Sequence, residues 1–181
     1  MTPPSVVGIG QVPIFDISAN YFYIKNIDNL ALMQEIVADS STPIQRYSND
    51  KSVCGEMFED VLFDYGPETQ KLLVAINAIA DTFGCELHGR AWAQVHHKYE
   101  SCNVHDHISS DLVKGFVYYV SVPEGAGNLY FELAGFGSSI IQPIECMCVV
   151  FPSSLKHGVS KNLSDKLRVS VSGNFAKKRS L

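Results

Sequence analysis

The chain has 181 residues, the size of one ordinary domain, and its 46% hydrophobic and 18% charged content is that of a globular protein that can bury a core without disulfides. A formal net charge of −5 argues against a nucleic-acid partner, because phosphates require a basic surface, and the basic cluster Lys177-Lys178-Arg179 reads as a solvated terminus. No apolar run reaches bilayer-crossing length, and MTPPSVVGIGQVPIF lacks the basic start and apolar centre of a secretion signal, so no membrane is expected and the protein is read as cytoplasmic.

Residues 1–181 read as a single domain with one change of character, near residue 90. Residues 1–89 form a strand and helix support region, and residues 90–176 a β core. The first helix starts at Asp28, a good N-cap, and runs to about Ala38, with Leu30, Met33 and Val37 on one face and Ser40–Pro43 as its stop. The second begins at Pro67 and Glu68, which suit a first turn, carries Leu72, Ile76, Ile79 and Phe83 on one face, and stops at Gly84. From Arg90 the period becomes two. Strands are expected over 91–97, 116–122, 129–133, 145–151 and 167–175, separated by turns such as Pro123-Glu124-Gly125, with a hairpin tip at Gly135-Phe136-Gly137. Many short strands after N-terminal helices predict a mainly β fold, a double-sheet jelly roll carrying support helices.

The five cysteines, Cys54, Cys85, Cys102, Cys146 and Cys148, are odd in number and contain no C-x-x-C pair, so neither a disulfide framework nor a zinc knuckle is expected. Cys146 and Cys148 lie two apart in an apolar run and are expected on one face of a strand as small buried hydrophobes. Cys102 lies close to the histidines and is read as packing.

Three of the six histidines carry the chemistry. His105 and His107, one residue apart, point to the same side of an extended segment, so their rings can converge on one ion, and imidazole suits Fe, Zn, Cu and Ni. A polar surface turn would show the same pair. His157 adds weight, because it follows a turn leaving the buried run that ends at Phe151-Pro152. Arg168 opens a segment in which Leu167, Val169 and Val171 share one face and Arg168, Ser170 and Ser172 the other. A water-facing strand would look alike, yet a guanidinium with hydroxyls in line is also what a carboxylate site needs. His88 reads as a surface turn residue. Of the adjacent His96 and His97 at most one faces the site, in a supporting role.

The ordered pattern His105-x-His107, Gly115-Phe116-Val117-Tyr118-Tyr119, Gly127-x-Leu129-x-Phe131, Phe151-Pro152-Ser153-x-Leu155-x-His157-x-Val159 and Arg168-x-Ser170-x-Ser172-x-Asn174 resembles the 2OG-Fe(II) oxygenases related to prolyl hydroxylases, over residues 90–175. The resemblance implies a double-stranded β-helix of the jelly-roll, cupin-like kind. It implies His105, His107 and His157 as iron ligands, and Arg168, Tyr119 and Ser170 as the holders of the distal 2-oxoglutarate carboxylate. The implied activity is a dioxygenase that uses Fe(II), 2-oxoglutarate and O2 and couples 2-oxoglutarate decarboxylation to oxidation of a small-molecule or peptidyl substrate. The sequence departs from the family's two-His, one-carboxylate triad at His107; Asp106, one residue earlier, is the reserve ligand. Two other readings stay open: a three-His cupin-type metal dioxygenase that does not use 2-oxoglutarate, and a non-catalytic jelly-roll binding module.

Overall fold

The structure is a computed structural model and describes residues 3–14, 17–38, 45–46, 56–59, 66–109, 111–133 and 137–178. In chain order its elements are β1 (Ser5–Ile14), β2 (Ile17–Lys25), α1 (Asn29–Ala38), β3 (Gln45–Arg46), β4 (Glu56–Glu59), α2 (Pro67–Thr82), β5 (Cys85–His96), β6 (Cys102–His105), β7 (Leu112–Ser121), β8 (Leu129–Leu133), β9 (Gly137–Ile141), β10 (Met147–Pro152), β11 (His157–Val159) and β12 (Arg168–Lys177). All strand pairs are antiparallel and fall into two sheets. The larger has the order β1-β2-β10-β7-β12-β5-β4-β3, and the smaller β6-β11-β8-β9. From β5 onward the chain crosses repeatedly between them, which is the double-stranded β-helix.

The central strands of the larger sheet are buried on both faces. Phe116, Tyr118 and Val120 of β7, Cys148 and Val150 of β10, Val169 and Val171 of β12, and Ala91, Ala93 and Val95 of β5 join the core under the helices. The alternate residues Val117, Tyr119, Met147, Val149 and Phe151 meet Leu129, Phe131 and Ile141 of the smaller sheet in a second core. Period-two alternation thus sorts each strand between a helix-side core and the sandwich interior.

The helices form where expected, with one difference in facing. Asp28 Oδ1 accepts from the N–H groups of Leu30 and Ala31, both at 3.1 Å, which makes it the N-cap of α1. The buried residues of α1 are Leu32 and Ile36, whereas Leu30 is 63% exposed and Val37 is exposed too. The expected Leu30–Met33–Val37 face is therefore corrected; α1 is apolar nearly all round, so periodicity alone cannot select which stripe packs. On α2, Leu72, Ile76 and Ile79 are buried as expected, Phe83 packs beside them, and Gly84 takes φ 62°.

Gly66 precedes α2 and offers no side-chain cap. The Glu35 carboxylate of α1 supplies one, accepting from the N–H groups of Glu68 (3.0 Å) and Thr69 (2.8 Å). Glu68 Oε2 in turn accepts from the Asp28 N–H at 2.9 Å, so the two helix starts are tied together.

Other differences have local causes. The strands expected in the N-terminal region include the hairpin β1–β2, whose position the sequence pattern does not mark because Gly8, Gly10 and Pro13 punctuate it; an edge strand tolerates such residues, and the Tyr21 ring occupies the space a Gly10 side chain would need. Cys146 takes φ 68° in the turn before β10, closed by the Met147 N–H to Ile144 O bond (3.1 Å), so it does not share a strand face with the buried Cys148. His88 lies inside β5 beside a bulge at Gly89 (φ 66°), and it is exposed. The helix stop expected at 40–43, Cys54, Gly135 and Phe136 of the hairpin tip, and Arg179 lie outside the described residues. No helix among the described residues is long and apolar enough to cross a membrane.

Replacing Glu35 by Ala is expected to cost about 1–2 kcal/mol, the range for a lost charged cap. Urea denaturation should show a lower midpoint with an unchanged slope, and Glu35→Gln should fall between.

Candidate metal and carboxylate site

β6 and β11 are neighbours in the smaller sheet, and their register sets His105 directly opposite His157. This pairing brings together two residues fifty-two positions apart. His107 lies just past the end of β6, where its N–H donates to Ser153 O at 2.9 Å and holds the segment beside β11. The ring centroids are 4.4 Å apart for His105–His157 and 5.2 Å for His105–His107 and His107–His157. One ligand nitrogen from each ring lies within 4.8 Å of the other two. Asp106 is not part of this group.

Local hydrogen bonds fix two tautomers. His157 Nδ1 is 2.9 Å from Leu155 O, and His105 Nδ1 is 2.8 Å from Asn103 O. A carbonyl only accepts, so both Nδ1 atoms carry a proton, and in the neutral form of each ring Nε2 keeps the lone pair. Burial holds His157 down at about 3 and lowers His107 as well. The rings are also packed in place, with Phe151 at 4.5 Å from His157 and Trp92 stacked on His107 at 5.9 Å and 10°. Imidazole nitrogens converging in this way are a donor set that could hold a cation.

The carboxylate half is built across the larger sheet. In register, Arg168 of β12 faces His96 of β5, Ser170 faces Gln94 and Ser172 faces Trp92, while Tyr119 of β7 flanks Ser170. Arg168 is 1% exposed. Its Nη1 lies 3.1 Å from His96 Nδ1 and 3.3 Å from Ser170 Oγ. Among the described residues its Nε and Nη2 have no hydrogen-bond partner, and neither has the Tyr119 hydroxyl, whose ring lies 5.4 Å from the guanidinium carbon. Nε–H and Nη2–H form the side-on edge of a guanidinium, two parallel donors spaced for one carboxylate. Burial pushes Tyr119 up to about 12, so its hydroxyl stays a donor. Burial also lowers Arg168, which keeps its charge at any ordinary pH.

His105, His107, His157, Arg168 and Tyr119 line one pocket of about 450 Å³, its mouth included. Among the described residues no acidic side chain lines it. Ser170 stands behind the arginine, fully buried. Of the expected site residues, only Asp106 falls outside this assembly. Of the two adjacent histidines His96 is the one that turns inward, and His97 is exposed with its N–H on Glu100 Oε2 at 2.7 Å. Tyr118 faces the helices and donates to Asn29 Oδ1 at 2.7 Å; Tyr130 lies across Gly158, outside the pocket lining. Trp92 and Gln94 are pocket walls that no sequence motif marks. Their alternation with Ala91, Ala93 and Val95 was the available signal. Cys102 is buried as packing, with Sγ 3.6 Å from His105 Nδ1.

No family model matches the sequence, and no curated protein matches it. Solved structures do. A prolyl-4-hydroxylase from Pseudomonas putida is 19% identical, with 83% of this chain and 84% of that one covered and a TM-score of 0.62. A prolyl hydroxylase from Trichoplax adhaerens, solved with a hypoxia inducible factor peptide fragment, is 12% identical over 82% of this chain and 78% of that one, with a TM-score of 0.65. SnoK, a non-heme alpha-ketoglutarate-dependent carbocyclase of nogalamycin biosynthesis, is 14% identical over 82% and 73%, with a TM-score of 0.64. At these identities the likeness is one of fold: the chain has the double-stranded β-helix of 2OG-Fe(II) oxygenases.

His96, like His157, is held neutral down to about 3 by burial, against an ordinary 6.5. The unfolded chain therefore binds protons below pH 6.5 that the folded chain refuses, and stability falls as pH drops from 6.5 toward 3. Each of the two contributes a slope of up to about 1.4 kcal/mol per pH unit. Denaturation of metal-free protein between pH 7 and 4 should show the decline, and His96→Asn should flatten it.

Proposed function

We propose that the chain is an Fe(II)- and 2-oxoglutarate-dependent dioxygenase, with His105, His107 and His157 as the metal ligands and Arg168, Tyr119 and Ser170 as the holders of the distal carboxylate of 2-oxoglutarate. The observation that carries this reading is the open Nε–Nη2 edge of a buried arginine in the same pocket as three converging imidazoles. The residues fit both groups. Imidazole nitrogens with fixed lone pairs suit Fe(II), and three unpartnered buried donors suit a carboxylate.

Bound there, Fe(II) and 2-oxoglutarate supply the activation of O2 that oxidises a substrate while 2-oxoglutarate leaves as succinate and CO2. The chain orients and encloses. Arg168 and Tyr119 anchor the far end of the cosubstrate. Ser170 steadies the arginine. Phe151, Leu129 and Val159 keep the pocket wall apolar, which strengthens every charge contact inside it. The substrate is a small molecule or a peptidyl side chain.

His107 favours a second reading. A ligand group of three histidines, with Asp106 outside it, is also that of a metal dioxygenase that does not use 2-oxoglutarate. That reading leaves the Arg168 edge without a purpose unless the substrate itself carries a carboxylate, and it ranks behind for that reason.

Under nitrogen, protein with Fe(II) and 2-oxoglutarate should show a weak visible metal-to-ligand band and a thermal shift that grows with 2-oxoglutarate concentration. Arg168→Ala should lose both at concentrations that saturate the wild type. His157→Ala should retain little iron by metal analysis. Wild-type protein with neither band nor shift would sink the cosubstrate assignment, and O2 uptake without 2-oxoglutarate would favour the second reading.

A further inference from the structure

Among the described residues, Arg168 is held by neutral groups alone. Both atoms within hydrogen-bond distance of its Nη1 are uncharged acceptors, His96 Nδ1 at 3.1 Å and Ser170 Oγ at 3.3 Å. A carboxylate in either place would orient the guanidinium equally well. It would also cancel the charge and compete with an incoming anion for the same donors. A neutral lone pair fixes the direction of the fork and leaves its charge available.

The chemistry of the pair assigns the imidazole proton. A guanidinium has five N–H donors and no acceptor, so the bond exists only if His96 Nδ1 is bare. The proton then sits on Nε2, which is buried without a partner. An imidazolium would set N–H against N–H between two buried cations. The position of His96 is fixed as firmly as its tautomer. It is the register partner of Arg168 across β5 and β12, and its carbonyl accepts from Asn162 Nδ2 at 3.0 Å. Asn162, fully buried, also donates to Lys166 O at 2.9 Å, so the turn leading into β12 is tied to the end of β5.

We propose that His96 is a positioning residue for carboxylate binding: by accepting from Nη1 of Arg168 through Nδ1, it holds the guanidinium so that the Nε–Nη2 edge is left for the ligand. This rests on the reading that the pocket takes 2-oxoglutarate.

The test compares two ligands on anaerobic Fe(II)-loaded protein by calorimetry: 2-oxoglutarate, and 2-oxopentanoate, which has the same chain without the distal carboxylate. Wild type should prefer 2-oxoglutarate. In His96→Leu that preference should fall by on the order of tenfold, the effect of one hydrogen bond to a charged group, with 2-oxopentanoate unaffected. His96→Asn should restore it, because Oδ1 of asparagine can stand where Nδ1 stood. A merely structural role would weaken both ligands together. An unchanged preference in His96→Leu, or equal loss for both ligands, overturns the positioning role and leaves the 2-oxoglutarate reading standing. A wild type with no preference overturns both. Nitrogen-15 NMR of the metal-free wild type decides independently of how the variants fold: a bare Nδ1 is expected at His96, and a protonated Nδ1 overturns the assignment.

Discussion

Arg168 sets a full positive charge inside a β-sandwich, where removing an ion of that size from water costs several kcal/mol even after the surroundings relax. Among the described residues no carboxylate offsets it; two neutral acceptors bond its Nη1, and the Tyr119 ring lies 5.4 Å from its central carbon. Two of its nitrogens and the nearby Tyr119 hydroxyl are left without partners. Buried donors in folded proteins are almost always satisfied, so such a cluster is rare unless a ligand completes it. The rest of the site follows from this constraint. On the proposed reading the pocket admits an anion, excludes bulk water and keeps the arginine from turning aside.

The double-stranded β-helix meets these demands through strand alternation. Each central strand of the larger sheet sends one set of side chains under the helices and the other into the sandwich. On β5 the inward set is Trp92, Gln94 and His96, and on β12 it is Arg168, Ser170 and Ser172, paired across the ladder. The polar face of β12 is therefore an interior floor. The smaller sheet supplies the imidazoles by the same logic, since β6 and β11 lie side by side and carry His105 and His157 at one register position. The candidate cation site and the proposed anion site come from opposite sheets, and the space between them is the pocket. Helices α1 and α2 contribute no side chain to its lining; they cover the outer face of the sheet and so keep its central strands buried on both sides.

Much of this was legible in the sequence, for identifiable reasons. The α2 stripe, the Gly84 stop and the alternation of β8 and β12 are periodic signals, and the structure repeats them. The three histidines and Arg168 were found as an ordered pattern, because no local signal connects His107 with His157. What stayed hidden depends on tertiary packing. Nothing local tells which stripe of an all-round apolar α1 is buried, and Leu32 and Ile36 won over Leu30 and Val37. The β1–β2 hairpin was masked by its own glycines and proline. The polar face of β12 read equally well as solvent-exposed until β7 and β5 closed on either side of it. His96 could be narrowed to one of two faces, while its contact with Arg168 needed the register.

His107 gives the proposed site its particular electrostatics. Where a two-His, one-carboxylate triad cancels part of the metal's charge, three neutral imidazoles cancel none. Arg168 adds a further unit of positive charge, and among the described residues no acidic side chain lines the pocket to reduce it. A dianion such as 2-oxoglutarate would then leave a divalent metal and the arginine with net positive charge, where a carboxylate ligand would have brought the sum to zero. In a site of low dielectric that surplus holds an anion more tightly and makes the metal harder to oxidise. Asp106 sits one residue away, close enough for its charge to raise the proton affinity of His107, yet it stays out of the ligand group. In the proposed site the arginine fork and the metal-loaded imidazole cluster would therefore act in the same direction: both would select for a negatively charged ligand, one by geometry and the other by uncompensated charge.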